Sequence, residues 1–242
     1  MSTIRGARER ARVEVTAAIK DEARRQLAAE GAAKLSLRAV ARELGMVSSA
    51  LYRYFPSRDD LLTALIVDAY DAVGEAAETA RATPGGSEGP HTARWATVAC
   101  AVRDWALAHP HEYALIYGSP VPGYSAPQDT VGPASRVGLV LIGLARDAHR
   151  ADGLALPRLD AELRPEAARL ASDVAPDLPP AVVAALVAAW AQLFGLISFE
   201  IFGQFERVVE ARDLLFRSAA TELGRSVGLL DGRTAGTAAT GA

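Results

Sequence analysis

The sequence predicts an all-α protein, with a three-helix head at its N-terminus and a larger helical domain behind it. Three observations carry that expectation. Apolar residues recur every three or four positions, the spacing of one helical face, and β-branched and aromatic residues rarely alternate as a half-buried strand requires. Alanine is abundant in a composition that is 50% hydrophobic and only 6% aromatic, which favours helices. Ser, Gly and Pro stand where such helices should start and stop. A chain of 242 residues has room for one large or two small domains with a substantial core.

The first helix is expected over about residues 9–30, with Val15, Ile19, Ala23 and Leu27 in an i+4 row and Gly31 ending it. Ser36 caps a short helix in which Leu37, Val40, Ala41 and Leu44 share a face. Gly45 supplies the backbone freedom for a sharp turn. A second short helix runs over about residues 47–54, and Pro56 stops it. Ser57 and Asp60 form a capping box for a fourth helix over about residues 57–80. Leu61, Leu62, Leu65, Ile66, Ala69, Tyr70 and Val73 make its apolar face. Helix, glycine turn, helix is the outline of a helix-turn-helix DNA reader. Leu37, Val40, Leu44, Leu51, Phe55 and Leu62 read as its core. The reading divides the chain into a DNA-binding domain (1–56), a helical regulatory and dimerisation domain (57–227) and a low-complexity, disordered tail (228–242).

The glycine- and proline-rich stretch 83–90 breaks the chain before the body. Helices are expected over 91–108 and 110–117, then a loop over 118–133. Further helices are expected over about 134–151 and 158–172. Pro179 and Pro180 suit the first turn of a long apolar helix ending near Phe205, and a last helix covers 210–227.

Charge is unevenly placed. Residues 1–58 hold twelve basic and six acidic side chains, and the remainder holds fourteen basic and twenty-three acidic, within a net charge of −3. A basic front is the footprint of a surface that meets phosphate. Cys100 is the only cysteine, which excludes an intrachain disulfide and suits a reducing cytoplasm. No secretion signal opens the chain. Residues 178–199 carry no charge, long enough for a membrane span, but the flanks are Asp177 and Glu200 rather than Lys or Arg. A helix buried between two protein surfaces explains the same run. Motifs for nucleophilic, phosphate-cradling or zinc chemistry are absent, so neither an enzyme nor a cofactor is expected. His109 and His111 flank Pro110, a spacing that does not place both on one helical face, so no metal site is expected. Cys100 reads as a buried structural thiol.

The stretches LSLRAVARELG and LYRYFPSRDDLLTALI resemble the N-terminal domain of TetR-type transcriptional regulators. The matching residues are Leu51, Tyr52, Tyr54, Phe55, Pro56, Ser57 and Arg58. Residues 103–124 and 189–205 are similar to one subgroup of that family's C-terminal domains, so the resemblance covers most of residues 10–226. It implies a homodimer paired through about residues 180–227, a small-molecule effector, and a repressor on a near-palindromic double-stranded operator. Val47 and Ala50 stand where the family often has a hydroxyl residue, so base contacts there must be apolar or come from the backbone.

The resemblance marks candidate contacts. Ser48, Ser49 and Ala50 occupy the first turn of the reader helix, where Ser reaches base edges or simply caps, and the Ala50 methyl packs on thymine. Tyr52, Tyr54 and Arg58 match phosphate-binding positions, against packing for the tyrosines and a solvated surface for Arg58. Arg53 reaches groove or backbone, and Ser36 and Arg38 hold phosphate at their helix start or serve as cap and solvated charge. Arg5, Arg8, Arg10 and Arg12 form either a minor-groove arm or a solvated end. Trp95, Trp105, Tyr113, Tyr117, Trp190, Phe194 and Phe199 are candidates for a ligand cavity, against plain core packing. A ligand-blind architectural protein and a membrane-tethered regulator are the competing readings.

Overall fold

The computed structural model describes residues 2–83 and 89–231. Among them are ten α-helices and three short 3-10 turns. No strand occurs among these residues, only a single bridge between Leu154 and Leu229. The chain is all-α, as its spacing predicts.

The helices are α1 (Ser2–Glu30), α2 (Leu37–Glu43), α3 (Ser48–Leu51), α4 (Arg58–Ala82), α5 (His91–Ala108) and α6 (Pro110–Tyr117). They continue with α7 (Val131–Arg150), α8 (Arg164–Val174), α9 (Pro180–Ile201) and α10 (Arg212–Val227). Several boundaries differ from the sequence reading, each for a local reason. α1 begins at Ser2 rather than near Glu9, so that Arg5, Arg8, Arg10 and Arg12 lie within it. The reader helix is four residues long, because Tyr54 N–H bonds Leu51 O at 2.8 Å and Arg53 N–H bonds Ala50 O at 3.3 Å, the tighter i−3 pattern. α7 begins three residues early, since Pro133 is tolerated in a first turn. α9 ends at Ile201, where Gly203 turns the chain with φ +81°. Much of the predicted break at 83–90 and of the tail at 228–242 lies outside the described residues.

Two compact units divide the chain: Met1–Ala72 with His109–Ala134, and Val73–Ala108 with Ser135–Ala242. The first is built on the i+4 row of α1. Ile19, Ala23 and Leu27 are buried against Leu37, Val40, Leu51, Phe55, Leu61 and Leu62, while Val15 and Leu44 are partly covered. Each full burial contributes about 1.5–3 kcal/mol relative to exposure. Arg24 of α1 pairs with Asp68 of α4 at 2.7 Å and with Glu112 of α6 at 3.2 Å. Lys20 adds a bond to Asp68 at 2.8 Å. These half-exposed pairs orient helices more than they stabilise them.

In the second unit α10 packs on α5 and α9, and α8 packs on α9. Gly224 of α10 sits on Trp95, where a β-carbon would stand 3.1 Å from the indole. Arg103 of α5 is buried and makes two bonds of 2.6 Å to Glu200 of α9 and one of 2.7 Å to Asp213 of α10. Arg103 and Glu200 side chains are each 7% exposed, whereas Asp213 is 86% exposed. The Glu200 bonds come first in holding the guanidinium well above its ordinary pKa. Cys100 is half-buried rather than buried, and that burial is the main cause pushing its thiol up.

His91, at the start of α5, gives this unit a pH dependence. Its Nδ1 is buried without a partner, and its ring lies 2.4 Å from where a β-carbon on Gly153 would stand. Burial pulls its pKa down, Arg94 adds to the shift, and Asp147 opposes it. Well above about pH 6.5 the imidazole is neutral in both states. As pH falls below about 6.5 the unfolded chain takes up the proton first, so stability falls. Urea melts at pH 7 and pH 5 should show this loss, and His91→Gln should make it smaller. Equal losses in the two proteins would remove His91 from the effect.

Candidate nucleic-acid interface

The reader helix is positioned by its neighbours. Ser36 Oγ accepts the Ala39 N–H at 3.4 Å and starts α2. α2 ends at Gly45, with φ +64°, a left-handed turn that glycine adopts at no steric cost. Met46 N–H returns to Ala41 O at 2.8 Å and closes the turn. α3 follows at once. Leu51 and Phe55 are buried in the shared core and pin α3 by its inner side, leaving Ser48, Ser49 and Arg53 exposed and Ala50 half-buried. Ser57 Oγ accepts the Asp60 N–H at 3.1 Å, opening α4.

Four of the predicted polar contacts converge on one surface. Ser36, Arg38, Tyr52 and Arg58, with Ser57, line a groove of about 440 Å³ beside the reader helix. Ser57 was legible from the sequence only as a cap, and the groove adds it to the polar rim. Tyr54 stands elsewhere: it is half-buried against the core, and the Arg12 guanidinium lies 5.7 Å from its ring centre.

Arg58 has a second task. Its guanidinium donates to Ala32 O at 2.8 Å, Leu35 O at 3.2 Å and Ala33 O at 3.4 Å, tying the chain that enters α2 to the start of α4. No sequence signal pointed to those carbonyls, which lie more than twenty positions away.

The aromatic candidates for a ligand cavity fall into both units. Tyr113 is buried and Tyr117 half-buried in the first, their rings 5.1 Å apart, with Tyr70 edge-on to Tyr117 at 5.9 Å. Burial is the largest cause pushing the Tyr117 phenol far up, so it stays protonated. Trp95 and Phe194 are buried and Trp105 is half-buried in the second unit. Trp190, edge-on to Phe194 at 5.9 Å, and Phe199 are exposed. His109 Nδ1 lies 3.1 Å from Glu112 Oε1, and no group of three metal-ligating side chains gathers among the described residues.

A short reader helix, held outward by two capped neighbours on a common apolar core, defines a helix-turn-helix DNA-binding protein. Comparison with known proteins points the same way. Residues 19–65 match the family described as "Bacterial regulatory proteins, tetR family", and residues 95–223 match "Tetracyclin repressor-like, C-terminal domain". Two HTH-type transcriptional regulators are each 42% identical over 221 residues, covering 83% of this chain and 86% of theirs. They are Rv1816 of Mycobacterium tuberculosis (strain ATCC 25618 / H37Rv) and Mb1846 of Mycobacterium bovis (strain ATCC BAA-935 / AF2122/97). The crystal structure of the regulatory protein SCO4313 matches with a TM-score of 0.73 and 36% identity, covering 89% of this chain and 97% of that one. A protein from Rhodococcus sp. RHA1 shares the fold, with a TM-score of 0.67 and 23% identity over 90% of this chain and 95% of its own. The chain belongs to the TetR family. It is a transcriptional regulator with a DNA-binding head, and not an enzyme.

Proposed function

We propose that the protein is a cytoplasmic, homodimeric repressor that binds a near-palindromic operator and is released from it by a small molecule. The observation that carries this reading is the outward surface of the head. Ser48, Ser49, Ala50 and Arg53 lie on the reader turn, beside a groove rimmed by Ser36, Arg38, Tyr52, Ser57 and Arg58. Side chains at the start of the reader helix would reach base edges, and the groove residues would hold phosphate.

A second copy explains the outer surface of α9. By length and composition α9 could cross a membrane, yet only 39% of its apolar window is buried within the chain. Its inner residues, among them Val183, Leu186, Leu193 and Ile197, are committed to the core. Val187, Ala191, Gly195 and Phe199 repeat at i+4 on the outside and are exposed, and Leu214 and Leu215 of α10 are exposed too. An apolar stripe of this kind on the family's pairing helices supports a twin subunit as its cover, with α9 and α10 from each copy in a four-helix bundle. Leu186 is only 5% exposed, so charging it probes the core of one chain rather than pairing; Phe199, 53% exposed, is the better probe. α4 contributes residues up to Ala72 to the first unit and from Val73 to the second, which supports it as the lever between ligand and reader. Release requires the ligand to favour the state whose two readers no longer match the half-site spacing.

Anisotropy titrations with duplexes carrying one half-site or its inverted repeat test the reading. The wild-type protein should favour the repeat by on the order of 100-fold or more through effective concentration. Phe199→Glu should keep single half-site affinity and lose most of that advantage. Equal affinity of the wild-type protein for both duplexes would contradict the homodimeric reader.

A further inference from the structure

The reader helix begins differently from the helices before and after it. α2 starts on Ser36 and α4 is entered through Ser57, and each hydroxyl accepts a backbone N–H of the first turn, at 3.4 Å and 3.1 Å. α3 starts on Val47, with extended φ −70° and ψ 136°, and no side chain caps it. Threonine has the same branched shape and would supply the missing acceptor. Local stability therefore favours a hydroxyl at this position, and the chain carries a methyl instead.

Nor does core packing account for that methyl. Val47 is 69% exposed, and the residues after it, Ser48 and Ser49, are exposed as well. One exposed valine on a surface is ordinary. An exposed valine that leaves the reader helix uncapped breaks a local rule at the site of function, where such breaks are expected to serve that function. The half-buried Ala50, one turn on, adds a second small apolar side chain to this end of α3.

The major groove displays donors, acceptors and one apolar group, the C5-methyl of thymine. A γ-methyl at the leading end of a reader helix is complementary to that group and to nothing else on the base edges. Resting on the DNA-reading function proposed above, we infer that Val47 is a specificity-determining residue that selects thymine at one position of each half-site through its C5-methyl. This side chain distinguishes thymine from cytosine and from uracil by apolar contact.

The test replaces each thymine of the selected half-site, one at a time, by deoxyuridine, which removes the methyl and leaves every hydrogen-bonding group. Full-length wild-type protein should lose roughly 3- to 10-fold in affinity at one such position, the scale of one buried methyl contact. Val47→Ala should bind the thymine duplex more weakly and show little further loss on the uracil duplex, whereas Val47→Thr, which keeps one γ-methyl, should remain sensitive to the uracil replacement. Val47→Thr should also raise the urea midpoint, because it restores the cap, and Val47→Ala should leave it nearly unchanged, because Val47 is exposed and caps nothing, which separates weaker binding from poorer folding. A half-site with no uracil-sensitive position, or a uracil penalty undiminished in Val47→Ala, overturns the inference while leaving the reader intact. Failure of the wild-type protein to select any half-site overturns both.

Discussion

Replacing Arg103 by alanine is expected to lower the stability of the second unit by about 3–5 kcal/mol, the range for removing one partner from a buried ion pair. The cause lies in what remains. Glu200 is as buried as Arg103, and its carboxylate receives both 2.6 Å bonds from that guanidinium. Without them a charge is left in a place water scarcely reaches. The exposed Asp213 contributes little, since its side chain is already solvated. Packing is lost too, because the guanidinium lies 5.2 Å from the centre of the Phe216 ring. The double change Arg103→Met with Glu200→Leu should recover most of the loss, as replacing both partners by apolar groups removes the unpaired charge. Urea unfolding of the three proteins checks this. A double variant as unstable as Arg103→Ala would mean that shape, not charge, makes this site costly to change.

The second large effect concerns DNA. Arg38 is exposed on the groove and Arg53 is exposed just past the reader helix. Changing both to alanine should weaken binding on the order of 100-fold near 0.1 M salt, about tenfold for each charged contact. The salt slope should become shallower by about 2, since each neutralised phosphate contributes close to one. The loss should be uniform across base variants of the half-site. A loss concentrated at particular base pairs would reassign one of these arginines to base reading.

The caps and turns of the head were legible because their chemistry is local. Ser36, Gly45 and Ser57 each satisfy a need within four residues, and the sequence shows that need directly. The core of the first unit was legible for a related reason: helical spacing puts Ile19, Ala23 and Leu27 on one face whatever they meet. Contacts between distant positions were not legible. Arg103 and Glu200 are 97 positions apart, and each alone reads as a charge beside an apolar stretch. The clamp of Arg58 on Ala32, Ala33 and Leu35 is similar, since backbone carbonyls leave no mark in a sequence. Aromatic residues were the least informative. Trp95 and Tyr113 are enclosed in packed cores, Trp190 and Phe199 are exposed, and all four share the same helical spacing rules.

Selection of bound sequences from random duplex DNA by the full-length protein, at moderate salt, decides whether the head reads sequence as a symmetric dimer. An inverted repeat whose two half-sites lie one helical turn or a multiple apart should be recovered, as two-fold symmetry requires. Recovery of no preferred sequence, with binding lost as salt is raised, would contradict sequence-specific reading, leaving a basic head that senses phosphate alone.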